Sequence, residues 1–289
     1  MKEGARLGDG LIRAVGDWTG AADKYREAWK ARWGNNLSGV FEEELCELLD
    51  PDLRDYLRQV VREGVPARQP LAQVRVPSKP HESVRGHMVE AMEKLCKDAR
   101  RGRVLLCGPA SEPYLGGVLS SPWGRAPKMN PDRTLSEEGR FFHDQRAMNE
   151  TGHKYLHPPA LQPRHRGLAR EILWWKARQP GIKVLIAKRD ITEAFRWIWL
   201  RTEDAGMFAT ELPGKAVGME GNLVAIYLVL TFGWIGSPGE YMAFGTALKQ
   251  CHDRHRPADP GWHDEVPRHS HLLMDDDVLI EPLLGRRPW

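Results

Sequence analysis

Carboxylates at the edges of short apolar runs constrain this chain more than any other feature. Residues 183–195 read KVLIAKRDITEAF, residues 271–282 read HLLMDDDVLIEP, and residues 231–238 between them read TFGWIGSP. Short apolar runs rich in Val, Ile and Leu and bounded by polar residues read as strands. Asp190 therefore stands where a buried strand, 184–187, leaves the core, and Asp275 and Asp276 stand in a hairpin turn. Neighbouring side chains on an extended strand point to opposite faces. Asp275 and Asp276 can thus converge only at a tight turn, and Asp277 is assigned to that turn. Strand ends hold carboxylates on a rigid frame. In the segment between, Gly233 and Gly236 let the backbone approach other groups closely, and Pro238 suits the first turn of a helix over 237–252.

The rest of the chain alternates texture. Its first hundred residues read as helical, with Tyr25, Trp29 and Trp33 at helical spacing in 21–33 and an Asp50-Pro51 start for a helix to about Arg62. Prolines mark 64–80 as an extended linker. A second amphipathic helix is expected over 82–101, with Val84, Met88, Met92, Leu95 and Cys96 on one face. Beyond it, strands are expected at 104–107, 140–148 and 222–230, and a helix at 166–176. Helices and strands in this mixture predict an α+β fold. Trp174, Trp175, Trp197 and Trp199 are assigned to the core.

Composition narrows the setting. The chain has 289 residues, a net charge of +3 and an apolar fraction of 41%. That balance permits a nucleic-acid partner without demanding one. Cys46, Cys96, Cys107 and Cys251 form no Cys-x-x-Cys pair, which argues for free thiols. Cys251, His252, His255, His263, His269 and His271 cluster loosely, but their spacing fits no standard zinc pattern. Residues 1–10 carry no signal-peptide core, and the near-apolar run 223–235 is shorter than a membrane span. The expectation is a soluble intracellular protein, cytoplasmic or nuclear, with no membrane partner. Two basic patches, Arg100 with Arg101 and Arg103, and Arg164 with His165, Arg166 and Arg170, read equally as phosphate contacts or as solvated helix ends.

Hard carboxylate oxygens suit Mg²⁺, which keeps several waters and needs only two or three protein ligands. Two such ions about 3.5–4 Å apart can activate a hydroxyl and stabilise a leaving pyrophosphate. Three aspartates in a row are also common in a solvated turn, so Asp275–Asp277 alone would not decide the matter.

With these residues in view, the chain resembles the retroelement reverse transcriptases, the RNA-directed DNA polymerases, over about 121–282. The string DITEAF resembles their strand-end Asp followed five residues later by an aromatic. FGWIGSP resembles the block before their template-contacting helix, and LMDD takes the place of their aromatic-x-Asp-Asp. SPWGRAPK and RFFHDQRAMN resemble their two fingers strands.

The resemblance implies an incomplete right hand of fingers and palm with an N-terminal helical extension. Its boundaries would be 1–103 for the extension and linker, 104–165 for a fingers-like segment and 166–289 for a partial palm. It implies Asp190, Asp275 and Asp276 as catalytic residues, binding two Mg²⁺ (or Mn²⁺) with the backbone carbonyl of Ile191. Lys128 and Arg140 would clamp the triphosphate. Phe195 would exclude a 2′-hydroxyl, and Phe232 and Gly233 would lie against the nucleotide. Asp144, Arg146 and Asn149 would brace the fingers. The implied partners are an RNA or DNA template with its primer and deoxynucleoside triphosphates. The pattern departs at Leu273, where the family has an aromatic residue. The matched segment stops before the family's primer grip, thumb and ribonuclease H, so poor hold on a duplex is expected of it alone. The implied function is a retrotransposon reverse transcriptase fragment. The alternative is an inactive remnant that binds nucleic acid or a partner, and the triphosphate clamp and sugar gate weigh against a third reading, a metal-dependent nuclease.

Overall fold

The computed structural model describes residues 1–33, 47–254, 270–274 and 276–284. The helices are α1 (Lys2–Val15), α2 (Trp18–Trp33), α3 (Pro51–Glu63), α4 (Glu82–Arg85), α5 (Met88–Arg100), α6 (Arg146–Asn149), α7 (His165–Arg178) and α8 (Ser237–Arg254). The strands are β1 (Val104–Cys107), β2 (Trp123–Met129), β3 (Leu135–His143), β4 (Val184–Asp190), β5 (Ala209–Pro213), β6 (Asn222–Tyr227), β7 (Ser270–Leu273) and β8 (Asp276–Pro282). This is an α+β chain whose strands pair antiparallel. It divides into two compact units, one of 1–36, 63–156 and 195–237, the other of 37–62, 157–194 and 238–289. Among the described residues no helix is long and apolar enough to cross a membrane.

In the first unit β6 lies between β1 and β5. Its Leu223–Ala225–Tyr227 and Val224–Ile226 faces are all buried, as a strand covered on both sides requires. Ile12 of α1, with Trp18, Ala21 and Ala22 of α2, packs with Val224 and Ile226 and helps form that cover. Asp9 is buried with them, and its carboxylate accepts from the Gly108 backbone N–H at 2.8 Å and from the Ser111 hydroxyl. β2 and β3 form a separate hairpin. Glu90 of α5 ties it down, accepting from Arg125 Nε and the Gly139 backbone N–H, both at 2.7 Å.

Several expectations change here. The helix read over 82–101 breaks at Gly86–His87 into α4 and α5. The segment 64–80 is no free linker, because Val65 pairs with Leu200 and Val76 with Leu119. The strand read at 140–148 begins at Leu135, ends at His143 and passes into α6. β5 was not foreseen, since ATELP has no alternation to reveal it. Arg103 is only 2% exposed, pairs with Asp98 at 3.7 Å and covers the Trp197 ring, so it is a core group and no phosphate contact.

In the second unit the sheet order is β4-β8-β7. Trp175 of α7 is buried with Val278 and Ile280, and Leu168, Ile172 and Val184 pack around them. Gly245 of α8 lets that helix close on β7, since a Cβ there would stand 1.8 Å from Leu272 Cδ2. α3 packs on α8 through Leu57, Ala243 and Ala247. The strand expected to be buried, 184–187, lies at the sheet edge instead, with Ile186 61% exposed. An apolar run cannot by itself distinguish an edge from a centre.

Candidate functional site

The hairpin register brings the second unit's carboxylates into one neighbourhood. Asp190, the last residue of β4, is the Cα partner of Asp276, the first of β8, and Asp276 is in turn opposite Leu273. Directly opposed residues in an antiparallel pair point to the same face with Cβ atoms about 4.5–5.5 Å apart. Met274 turns the hairpin with φ 56, a left-handed value that tight hairpin turns require. Asp275 lies outside the described residues. Asp190 is exposed and accepts a long hydrogen bond from Thr192 Oγ1 at 3.5 Å. The Ile191 carbonyl accepts from the Ala194 backbone N–H at 3.2 Å, closing the turn after β4.

Like charges directly opposed on a sheet repel, so this pair needs a cation. Lys188, two residues before Asp190 on the same face, supplies part of it, with Nζ 2.8 Å from Asp276 Oδ2. The sequence reading missed this lysine, although period-two alternation from Asp190 would have found it. A divalent ion fits the pair as hard oxygen ligands held on adjacent strands. Among the described residues, no group of three His, Cys, Asp or Glu gathers around them.

Asp277 is not the turn residue it was assigned to be. It sits inside β8 opposite Arg189 and is 2% exposed. Burial pushes its carboxyl pKa up, against the pull of His252, whose Nδ1 is 3.9 Å away. Of the Cys/His cluster, His255, His263 and His269 lie outside the described residues. His271 is engaged by Glu171.

The first unit carries the other candidate residues. Phe195 and Phe232 meet edge to face with ring centroids 4.7 Å apart. Phe195 is 6% exposed beneath, and Phe232 presents 42% of its surface to solvent. Gly233 takes φ +118, and a Cβ there would stand 2.1 Å from the His143 carbonyl oxygen. The turn is clamped from both sides. The Phe232 carbonyl accepts from the His143 backbone N–H at 3.1 Å, and the Asn149 amide donates to the Gly233 carbonyl at 2.8 Å while accepting from the Ile235 N–H at 2.9 Å. Removing both bonds with Asn149→Ala should cost about 1–2 kcal/mol, read as a lowered midpoint in a denaturant titration.

Lys128 and Arg140 both point to solvent from the β2–β3 hairpin. Arg140 is opposite Ala126, and Lys128 falls in the bulge between Pro127 and Met129. Neither makes an ion pair or hydrogen bond with a described residue, so both heads are presented bare. Asp144 is committed elsewhere. Arg146 grips it with two bonds, at 2.8 and 2.6 Å, and His81 Nε2 lies 2.9 Å away. The Arg146 grip foremost, with His81, holds its carboxyl down at about 2.

Two arrangements had no sequence signal. His157 Nδ1 donates to Glu240 at 2.7 Å with both side chains buried, and Tyr56 donates to the other oxygen of the same carboxylate. This ties α3 and the loop after Leu156 to the first turn of α8, and the three residues are too far apart in sequence for any spacing rule. Trp174 and Trp197, expected in the core, are 44% and 38% exposed, while Trp175 and Trp199 are buried. No protein-family model matches this chain, and no curated protein matches it either.

Proposed function

We propose that this chain is the fingers and partial palm of an RNA-directed DNA polymerase, of the retrotransposon reverse-transcriptase kind. The observation that carries the reading is the register that sets Asp190 against Asp276 at the open end of the β4-β8-β7 sheet. Asp190 and Asp276 would hold Mg²⁺, joined by Asp275 and the Ile191 carbonyl, whose bond to Ala194 leaves one lone pair available. Held there, the ion would supply Lewis-acid chemistry, lowering the pKa of a primer 3′-hydroxyl and offsetting charge on a leaving pyrophosphate. On the other unit, Lys128 and Arg140 offer the point charge and planar fork that triphosphate oxygens need. Phe195, packed under Phe232, offers a ring that would leave no room for a 2′-hydroxyl.

One observation favours a second reading, a polynucleotide-binding protein without synthesis. Lys188 already occupies an oxygen of Asp276, so a metal must compete with it. Primer extension on an RNA template with deoxynucleoside triphosphates and Mg²⁺ separates the two. Under the polymerase reading Asp190→Asn lowers extension on the order of a hundredfold or more, as loss of an electrostatic catalytic group does. Equal extension by both proteins sinks it. Absent extension with RNA binding retained leaves the second reading standing.

A further inference from the structure

The exposed face of α7 combines a row of arginines with a half-exposed indole. Arg166, Arg170, Trp174 and Arg178 follow one another at four-residue steps, the spacing that sets side chains one above the next. From Arg166 to Arg178 the row is about 18 Å long. All four are exposed, Trp174 to 44% and Leu173 beside it to 65%. Arg164 and Lys176 flank the row, also exposed. The only carboxylate of the helix, Glu171, turns away and is held by His271.

None of these arginines has a carboxylate partner among the described residues. Arg178 lies over the Trp174 ring at 5.3 Å, which leaves its charge uncompensated. Arg166 also sits where it weakens the helix, whereas Lys176 and Arg178 lie in the last turn, where the dipole favours them. The first turn has His165 and Arg166, no acidic residue and no capping side chain, at the positive end of the helix dipole. Burial of Trp175 on the opposite face holds the helix in place regardless. A helix face with this much positive charge, no exposed carboxylate of its own and a half-exposed indole is complementary to a polyanion that carries flat apolar rings.

We infer that the α7 face binds single-stranded nucleic acid, with Arg166, Arg170 and Arg178 on successive phosphates and Trp174 stacked on an unpaired base. A duplex would meet the arginines but offer no free base face, so the indole selects for the single strand. The inference shares with the reading above only its polynucleotide partner. It needs neither the carboxylates nor a metal.

The test is fluorescence anisotropy of a labelled oligouridylate with the whole chain, in EDTA, across a salt series. Each phosphate contact on a single strand contributes about 0.7 to the slope of log affinity against log salt. Replacing Arg166, Arg170 and Arg178 together by Gln should flatten that slope by about 2 and weaken binding at least tenfold. Trp174→Ala should weaken single-strand binding about tenfold with the slope unchanged. A matched triple, Arg6→Gln with Arg13→Gln and Lys24→Gln, should do neither, and circular dichroism checks that each variant is folded. The inference is overturned if the wild-type chain does not bind, if the α7 triple binds like the wild type, or if Trp174→Ala changes nothing. Binding to phosphatidylserine vesicles in place of the oligonucleotide would overturn it too. A chain that binds through α7 but never extends a primer refutes the polymerase reading alone. Extension with no effect of the α7 variants refutes this inference alone.

Discussion

Gly233→Ala is expected to destabilise the chain by about 2–6 kcal/mol. Two costs add. Backbone at φ +118 is strained for any residue with a Cβ, worth about 1–3 kcal/mol. The new methyl would also stand 2.1 Å from the His143 carbonyl oxygen, which belongs to backbone and cannot swing aside. Overpacking of that kind costs about another 1–3 kcal/mol. Relief requires the turn to move, and it is pinned by the His143 N–H on Phe232 at 3.1 Å and by Asn149 on Gly233 at 2.8 Å. Chemical denaturation should show the loss directly. If the polymerase reading holds, extension falls as well, because Phe232 rides on the same turn. A stability within about 0.5 kcal/mol of the wild type would mean that the turn is not held as described.

His143 should make the fold acid-sensitive well above the carboxylate range. Its ring is 3% exposed, in a T-shaped contact with Tyr227 at 4.6 Å and tilted against Trp123 at 6.0 Å. Burial, aided by the Arg196 guanidinium, pushes its pKa down to about 3 from 6.5. Arg196, with Arg103, engages the buried Asp98, and the neighbouring Asp144 is held by Arg146 and His81. The sign follows from which state binds the proton. Above pH 6.5 both states are neutral and the full stability is present. Below it the unfolded chain takes up a proton that the folded chain refuses, so stability falls by about 1.4 kcal/mol per pH unit until the folded ring titrates near 3. Between pH 6.5 and 5 the loss from this one residue is about 2 kcal/mol. His143→Phe keeps an aromatic ring in the site and removes the titration. Denaturant midpoints at pH 7 and pH 5 should therefore differ less in the variant. An equal drop in both proteins would assign the acid sensitivity elsewhere. At pH 7 the variant should be no less stable, since His143 Nε2 has no hydrogen-bond partner among the described residues.

Both effects come from one place, where the end of β3 meets the turn before α8. The same residues that would set Phe232 in position thus also set much of the first unit's stability. His143 serves the turn through its backbone and the core through its ring. Substitutions there should be read with a folding measurement beside any activity measurement.

Local pattern determined a good deal of this protein. The α3, α7 and α8 helices, the β1 and β6 strands and the β7–β8 hairpin were legible because period, caps and turn residues act over a few neighbours. The α+β class followed from them. The candidate carboxylates could be named from sequence, but their pairing could not. That Asp190 lies opposite Asp276, that Lys188 reaches the same carboxylate, and that Asp277 is a buried strand residue are matters of register, which links positions some ninety residues apart. The exposure of β4 and the division of four tryptophans into two buried and two half-exposed were likewise decided by what packs against each face. Apolar character says that a side chain prefers burial. Only the tertiary arrangement says which of them obtain it, because burial depends on partners that no local window contains.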